Sequence, residues 1–254
     1  VAASYPPSRI FLTGASSGLG RGLALELARQ GARFGLVARR RELLDTLARE
    51  LEERGCHVLL LPGDVRDTEH MAEAAREFLA WAGGADLVVA NAGIGEGRRT
   101  ERVDPARVAE VFGVNLIGTS NTLLPFVGPM RAQGSGVLAA VASVAGFRAL
   151  PGSVSYSASK AAVLTFMEGL RMDLHGSGVH AMALCPGFVR TPLTDKNDFS
   201  MPFLMDCERA CRLMVRAIER HRPVYVFPWQ MRALGVVLRN APEWFVRRAA
   251  ARGR

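Results

Sequence analysis

The chain has 254 residues, 49% apolar and 22% charged, enough to bury one substantial core and solvate its surface, so it reads as a single soluble domain over residues 1–254. Its net charge of +8 would suit an anionic partner. However, every basic residue except Lys160 and Lys196 is arginine, and with no recognition motif beside the charge, nucleic-acid binding is not expected. No run approaches the roughly 20 apolar residues of a membrane-spanning helix, residues 1–10 lack a basic-then-apolar signal pattern, and the cytoplasm is the expected location.

The first branched apolar run, residues 10–13, leads straight into Thr13-Gly14-Ala15-Ser16-Ser17-Gly18-Leu19-Gly20, after which a helical pattern covers 19–30. Glycines at such a strand-turn-helix junction permit a tight turn and close approach of a pyrophosphate, whose charge the helix N-terminus favours. The spacing is GxxxGxG, so the geometry of GxGxxG does not transfer residue by residue, and an ordinary glycine-rich turn is the alternative. A second strand, 34–37, is followed by Ala38-Arg39-Arg40-Arg41. Dinucleotide folds place a ribose-binding carboxylate about 20 residues after the glycines. Arginines stand there instead and suit a 2′-phosphate, which points to NADP(H) over NAD(H); charges at a helix start are the alternative.

Further along come a helix over 42–54, a strand over 58–61 and Asp64, a partner for the adenine edge or an ordinary turn carboxylate. A helix over 69–81 and a strand over 87–90 lead to Asn91. The helix predicted over 108–131 carries Asn115 in its interior, an awkward place unless the side chain binds a backbone group or a water linked to Lys160. The fifth strand, 137–142, ends at Ser143, placed to hydrogen-bond a substrate oxygen. In the helix over 154–175, Tyr156 and Lys160 lie four residues apart on one face. An ammonium there should lower the phenol pKa from about 10 and make Tyr156 a usable general acid or base. A strand over 179–184, a helix over 207–221 and a strand over 224–227 complete the pattern. Its alternation implies a seven-stranded parallel sheet, doubly wound, with helices on both faces. Cys56, Cys185, Cys207 and Cys211 lack CxxC spacing and no histidines pair at ligand spacing, so no metal is expected.

Taken together, Thr13 to Gly20, Asn91-Ala92-Gly93, Asn115, Ser143, Tyr156, Lys160 and Pro186-Gly187 resemble the short-chain dehydrogenase/reductase family in order and spacing, from about residue 9 to 227. The resemblance implies a Rossmann-type fold, nicotinamide chemistry and an Asn115–Ser143–Tyr156–Lys160 tetrad, with Lys160 also binding the nicotinamide ribose. It implies dinucleotide contacts from Gly14, Ser16, Ser17, Gly18, Leu19, Gly20, Arg39, Arg40, Asp64, Val65, Asn91, Ala92, Gly93, Tyr156, Lys160, Pro186, Gly187, Val189 and Thr191. Many members have Asn-Asn-Ala-Gly where this chain has Ala90-Asn91-Ala92-Gly93, a departure expected to alter local hydrogen bonding without abolishing catalysis. A homodimer or homotetramer is usual by the same resemblance.

The segment 191–206 is expected to close over substrate. Its Phe199, Met201, Phe203 and Leu204, with Phe147, Leu150 and Phe188, suggest a pocket for a hydrophobic carbonyl or alcohol, or else core and subunit filling. The tail, 229–254, interleaves Trp229, Leu234, Trp244 and Phe245 with Arg232, Arg239, Arg247 and Arg248, which suits packing on its own domain or a partner subunit, or a membrane surface. Two rivals to an enzyme remain: a sensor or scaffold that holds NADP(H) without turnover, and a peripheral membrane protein.

Overall fold

Parallel strands covered on both faces must be apolar at nearly every position, and that requirement places this chain's short branched runs. The computed structural model describes residues 6–95, 104–149, 152–195 and 201–233. Its strands are β1 (Arg9–Thr13), β2 (Arg33–Ala38), β3 (His57–Pro62), β4 (Leu87–Ala90), β5 (Gly136–Val141), β6 (Val179–Pro186) and β7 (Val224–Phe227). They form one parallel sheet in the order β3-β2-β1-β4-β5-β6-β7. β4 and β5 are buried at every residue, as the central strands of a two-faced sheet require.

The helices are α1 (Gly18–Leu27), α2 (Arg41–Glu52), α3 (Thr68–Ala82), α4 (Pro105–Phe112), α5 (Gly118–Gln133), α6 (Val154–Asp173) and α7 (Cys207–Glu219). The alternation of side chains along each strand divides them into two layers. Ile10, Leu12, Leu87 and Val89 face α1, α2 and α7. Phe11, Val88, Leu138 and Ala140 face α3, α5 and α6. On that second face Phe11 meets Phe126 at 4.8 Å and Phe78 at 5.4 Å between ring centroids. Gly35 leaves the room this cluster needs, since a Cβ there would lie 2.5 Å from the Phe78 ring.

The helix predicted over 108–131 is α4, a π-helical turn over Gly113–Ile117 and α5 in one run. At 29 residues, Pro105–Gln133 is long and apolar enough to cross a bilayer, contrary to the expectation that no stretch would be. Its inner face, with Val111, Leu123, Phe126 and Met130, is buried in the core, and the run is a core helix.

Between β1 and β4 the chain changes the direction in which it adds strands. β2 and β3 lie on one side of that line, and β5, β6 and β7 on the other. The crossovers diverge there and leave a crevice at the carboxyl ends of the strands, where ligands of such sheets bind.

Candidate active site

The crevice is a cavity of about 280 Å³. Its floor is the glycine turn. Gly14 has a φ of 67°, and a Cβ on it would lie 2.8 Å from the Ala92 backbone, so only glycine lets the two strand ends close up. Asn91 fixes that junction, its Nδ2 donating to the carbonyls of Thr13 at 3.1 Å and Gly14 at 3.2 Å, while its own N–H donates to Thr13 Oγ1. Ser17 starts α1 without a side-chain cap, and the first turn carries no acid. The free N–H groups at this helix end therefore face the cleft as an anion site.

Arg39 and Arg40, both exposed, stand at the end of β2 on the same cleft. The Arg40 guanidinium donates to Ser16 Oγ and Ser17 Oγ, each at 3.1 Å. Asp64 also lines the cleft, but Arg66 grips its carboxylate at 2.7 Å and, with a smaller contribution from Arg39, holds it below the usual carboxylate range. The glycine cradle and the uncapped helix start fit a dinucleotide, with arginines where many such sites carry a carboxylate.

Tyr156 and Lys160, on the first turns of α6, reach the cleft beside Ser143, which follows β5. Lys160 Nζ donates to the Val141 carbonyl at 2.7 Å and sits 5.8 Å from the centre of the Tyr156 ring. Tyr156 and Ser143 are hydrogen-bonded. Burial dominates both titrations. It pushes the Lys160 ammonium down to about 8 and the Tyr156 phenol above its ordinary value, against the lowering effect of the Ser143 bond. The expected lowering of Tyr156 by its neighbouring ammonium is thus overturned in this structure, because desolvation penalises the phenolate more than its surroundings stabilise it.

Asn115 lies in the π-helical turn, fully buried and off the cleft surface. Its Oδ1 accepts from Ile94 N at 2.9 Å, and its Nδ2 donates to the Ile94 carbonyl and Ser159 Oγ, both at 3.0 Å. The backbone partner expected from the sequence is thus the Ile94 peptide. Gly20 is likewise behind the cleft: a Cβ on it would fall 2.1 Å from Gly14 O, so it packs the turn without facing the ligand space. The remaining residues picked from the sequence, Gly14, Ser16, Ser17, Gly18, Leu19, Arg39, Arg40, Asp64, Val65, Asn91, Ala92, Gly93, Ser143, Tyr156, Lys160, Pro186, Gly187, Val189 and Thr191, all line it.

The sequence reading missed Gly63, Ile94 and Leu193, which line the cleft too. Gly63 and Ile94 directly adjoin Asp64 and Gly93, and Leu193 lies in the first turn of the segment expected to close over substrate. The aromatic candidates fare differently. Phe147, Phe188, Met201, Phe203 and Leu204 are not among the lining residues, and Phe203 is 51% exposed. Met205 instead is buried and pairs with Val189, through Arg190 N to Met205 O at 2.9 Å and Met205 N to Phe188 O at 3.0 Å. Leu150, Phe199 and the tail from 234 lie outside the described residues.

A doubly wound parallel sheet with a glycine-floored cleft at its switch point is the arrangement of dinucleotide-binding proteins. The short chain dehydrogenase family model matches residues 8–200, and the chain belongs to that family. An uncharacterized oxidoreductase of Myxococcus xanthus is 45% identical over 220 residues, 87% of each chain. Among solved structures, a short-chain dehydrogenase/reductase from Burkholderia phymatum in complex with NAD superposes with a TM-score of 0.83 at 26% identity, covering 90% of this chain and 91% of its own. A short-chain dehydrogenase from Sphingobium yanoikuyae in complex with NADPH gives 0.79 at 25%, covering 92% and 96%.

Proposed function

We propose that the chain is an NADP(H)-dependent oxidoreductase that interconverts a small hydrophobic carbonyl compound and its alcohol, with Tyr156 as general acid or base. The observation that carries this is the half-buried Tyr156, its phenol hydrogen-bonded to Ser143 with Lys160 Nζ over its ring, on the wall of a glycine-floored cleft. The nicotinamide, when bound, supplies or accepts the hydride.

The chain's own residues do the rest. Ser143 holds the substrate oxygen and polarises it, and Tyr156 passes the proton to or from that oxygen. Lys160, fixed on the Val141 carbonyl, places its charge beside the phenol and binds the nicotinamide ribose. Asn115 is a positioning residue: it ties Ile94 on the cleft wall to Ser159, next to Lys160 in the chain. Solved relatives carry NAD in one case and NADPH in another, so the choice of nucleotide rests on Arg39 and Arg40 of this chain. Ile94 and Leu193 supply apolar wall for the substrate. A cytoplasmic homo-oligomer is the form we propose, with the exposed Ile117 of the π-helical turn, Leu124 of α5, and Val154 and Met172 of α6 available for subunit contact.

The test is Tyr156→Phe, assayed for NADPH affinity and for NADPH oxidation against aliphatic, aromatic and steroid-like carbonyls. Turnover should fall by about 10²–10⁴-fold, the usual contribution of a general acid, while NADPH affinity stays near that of the parent. Near-normal turnover in the variant would remove the acid–base assignment, and NADPH binding by the parent without oxidation across the whole panel would favour a sensor.

A further inference from the structure

Two cysteines that play no part in the chemistry above meet on the back of the cofactor turn. Cys207 is the first residue of α7 and Cys211 lies one turn on, and the two thiols are hydrogen-bonded to each other. Both bear on the same point of α1: a Cβ on Gly22 would sit 2.6 Å from Cys211 Sγ and 3.3 Å from Cys207 Sγ. Cys211 is buried and its thiol donates to the Leu19 carbonyl at 3.7 Å, while Cys207 is half-buried and reachable from solvent. Arg21 of α1 lies close enough to favour a Cys207 thiolate.

The two thiols differ in character. The Cys211 bond, then the Arg21 charge, hold Cys207 below the ordinary thiol value against the opposing effect of burial. Cys211 is pushed up by the same bond, by burial and by Glu26, with Arg212 opposing. Cys207, half-buried and beside Arg21, is the sulfur suited to attack an oxidant; Cys211 remains a thiol until it gives up its proton in the second step.

We propose that Cys207 and Cys211 form an oxidation-sensitive dithiol whose disulfide opens the first turn of α7 and slackens the Val189–Met205 wall of the cleft. The oxidant is a hydroperoxide. The Cys207 thiolate attacks its distal oxygen, an S–O bond forms as the O–O bond breaks, and the alcohol, or water, leaves after taking up a proton. Cys207 is then a sulfenic acid, oxidised by two electrons. Cys211 sulfur attacks Cys207 sulfur, S–S forms as S–O breaks, and the hydroxide leaves as water with the Cys211 proton.

Helix geometry supplies the coupling. Residues four apart stand about 6 Å apart along the axis, within the Cα range of a disulfide, but their Cβ vectors are nearly parallel and hold the sulfurs short of bonding distance. Closing the bond therefore unwinds the first turn and loosens Ala210 N to Asp206 O, 3.0 Å in the reduced form. Met205 is two residues before Cys207, and its two backbone bonds to Phe188 and Arg190 hold Val189 against the cleft.

The experiment is to treat the full chain with hydrogen peroxide, map disulfides by mass spectrometry of its peptides, and follow hydrogen exchange at residues 188–190 and 205–210. A Cys207–Cys211 link is expected, with exchange in both segments about tenfold or more faster, reversed by dithiothreitol and absent in Cys207→Ser and Cys211→Ser. Oxidation that stops at a Cys207 sulfinic acid, a link to another cysteine, or a Cys207–Cys211 link with unchanged exchange would each overturn the proposal. None of these readouts uses NADPH, so they stand apart from the fate of the proposed function.

Discussion

At the scale of single residues, Lys160 presents the sharpest electrostatic problem. It is 4% exposed, donates to the Val141 carbonyl, and keeps its charge only below about 8, against 10.5 for the free side chain. Below about pH 8 folded and unfolded chains are both protonated, and the folded state bears the full cost of the buried charge. Between 8 and 10.5 the unfolded chain binds more protons, so stability rises with pH through that window. The corresponding gain is about 3 kcal/mol. Urea titrations of the parent and Lys160→Met across pH 7–10.5 read it directly, because the lost Val141 bond is a constant offset while the charge contribution is not. The parent should gain on the variant as pH rises; a constant difference would mean that the amine is not desolvated. The same burial keeps Tyr156 protonated at neutral pH, which is the form that donates a proton to a carbonyl being reduced.

At the scale of elements, the glycine turn and α6 give opposite forecasts for one substitution. In Gly20→Ala the new Cβ would meet the Gly14 carbonyl at 2.1 Å, and backbone has to move; destabilisation of about 1–3 kcal/mol and weaker NADPH binding should follow. In Gly169→Ala on α6 the new Cβ would meet no neighbouring element within 4 Å, and exchanging glycine for alanine in a helix should stabilise by about 0.5–1 kcal/mol. Chemical denaturation of both checks the pair, and equal effects would show that the close approach at Gly20 is not what limits it. The strands were legible because branched apolar runs are bounded by Gly, Pro and Arg: all seven appear within about two residues of their expected ends. The cleft was legible as far as its residues adjoin strand ends. What sequence could not give depends on distant partners. Asn115 makes sense only beside Ile94, 21 positions away. Phe203 and Leu204 look like pocket lining until the Val189–Met205 pairing turns them outward. The direction of the Tyr156 shift needed the burial of the phenol, which spacing to Lys160 does not report.

At the scale of the whole molecule, a net charge of +8 attracts any dinucleotide, so affinity for NADPH alone says little about Arg39 and Arg40. The informative quantity is the difference between NADPH and NADH, which share everything but the 2′-phosphate. A ligand at 100 times its Kd stabilises the folded chain by about 2.7 kcal/mol. If the two exposed guanidinium groups bind that phosphate, replacing both by Ala should cost roughly tenfold in NADPH affinity, and at the same concentration remove about 1.4 kcal/mol of that stabilisation. The NADH shift in melting temperature should be unchanged. Raising the salt concentration should shrink the NADPH shift of the parent more than that of the variant, since exposed charges are screened. Arg40 also bonds Ser16 and Ser17 of the turn, so a general loosening of the cleft would lower both shifts together. Equal losses for NADPH and NADH would assign these arginines to the scaffold of the turn and leave the nucleotide preference without a basis in this chain.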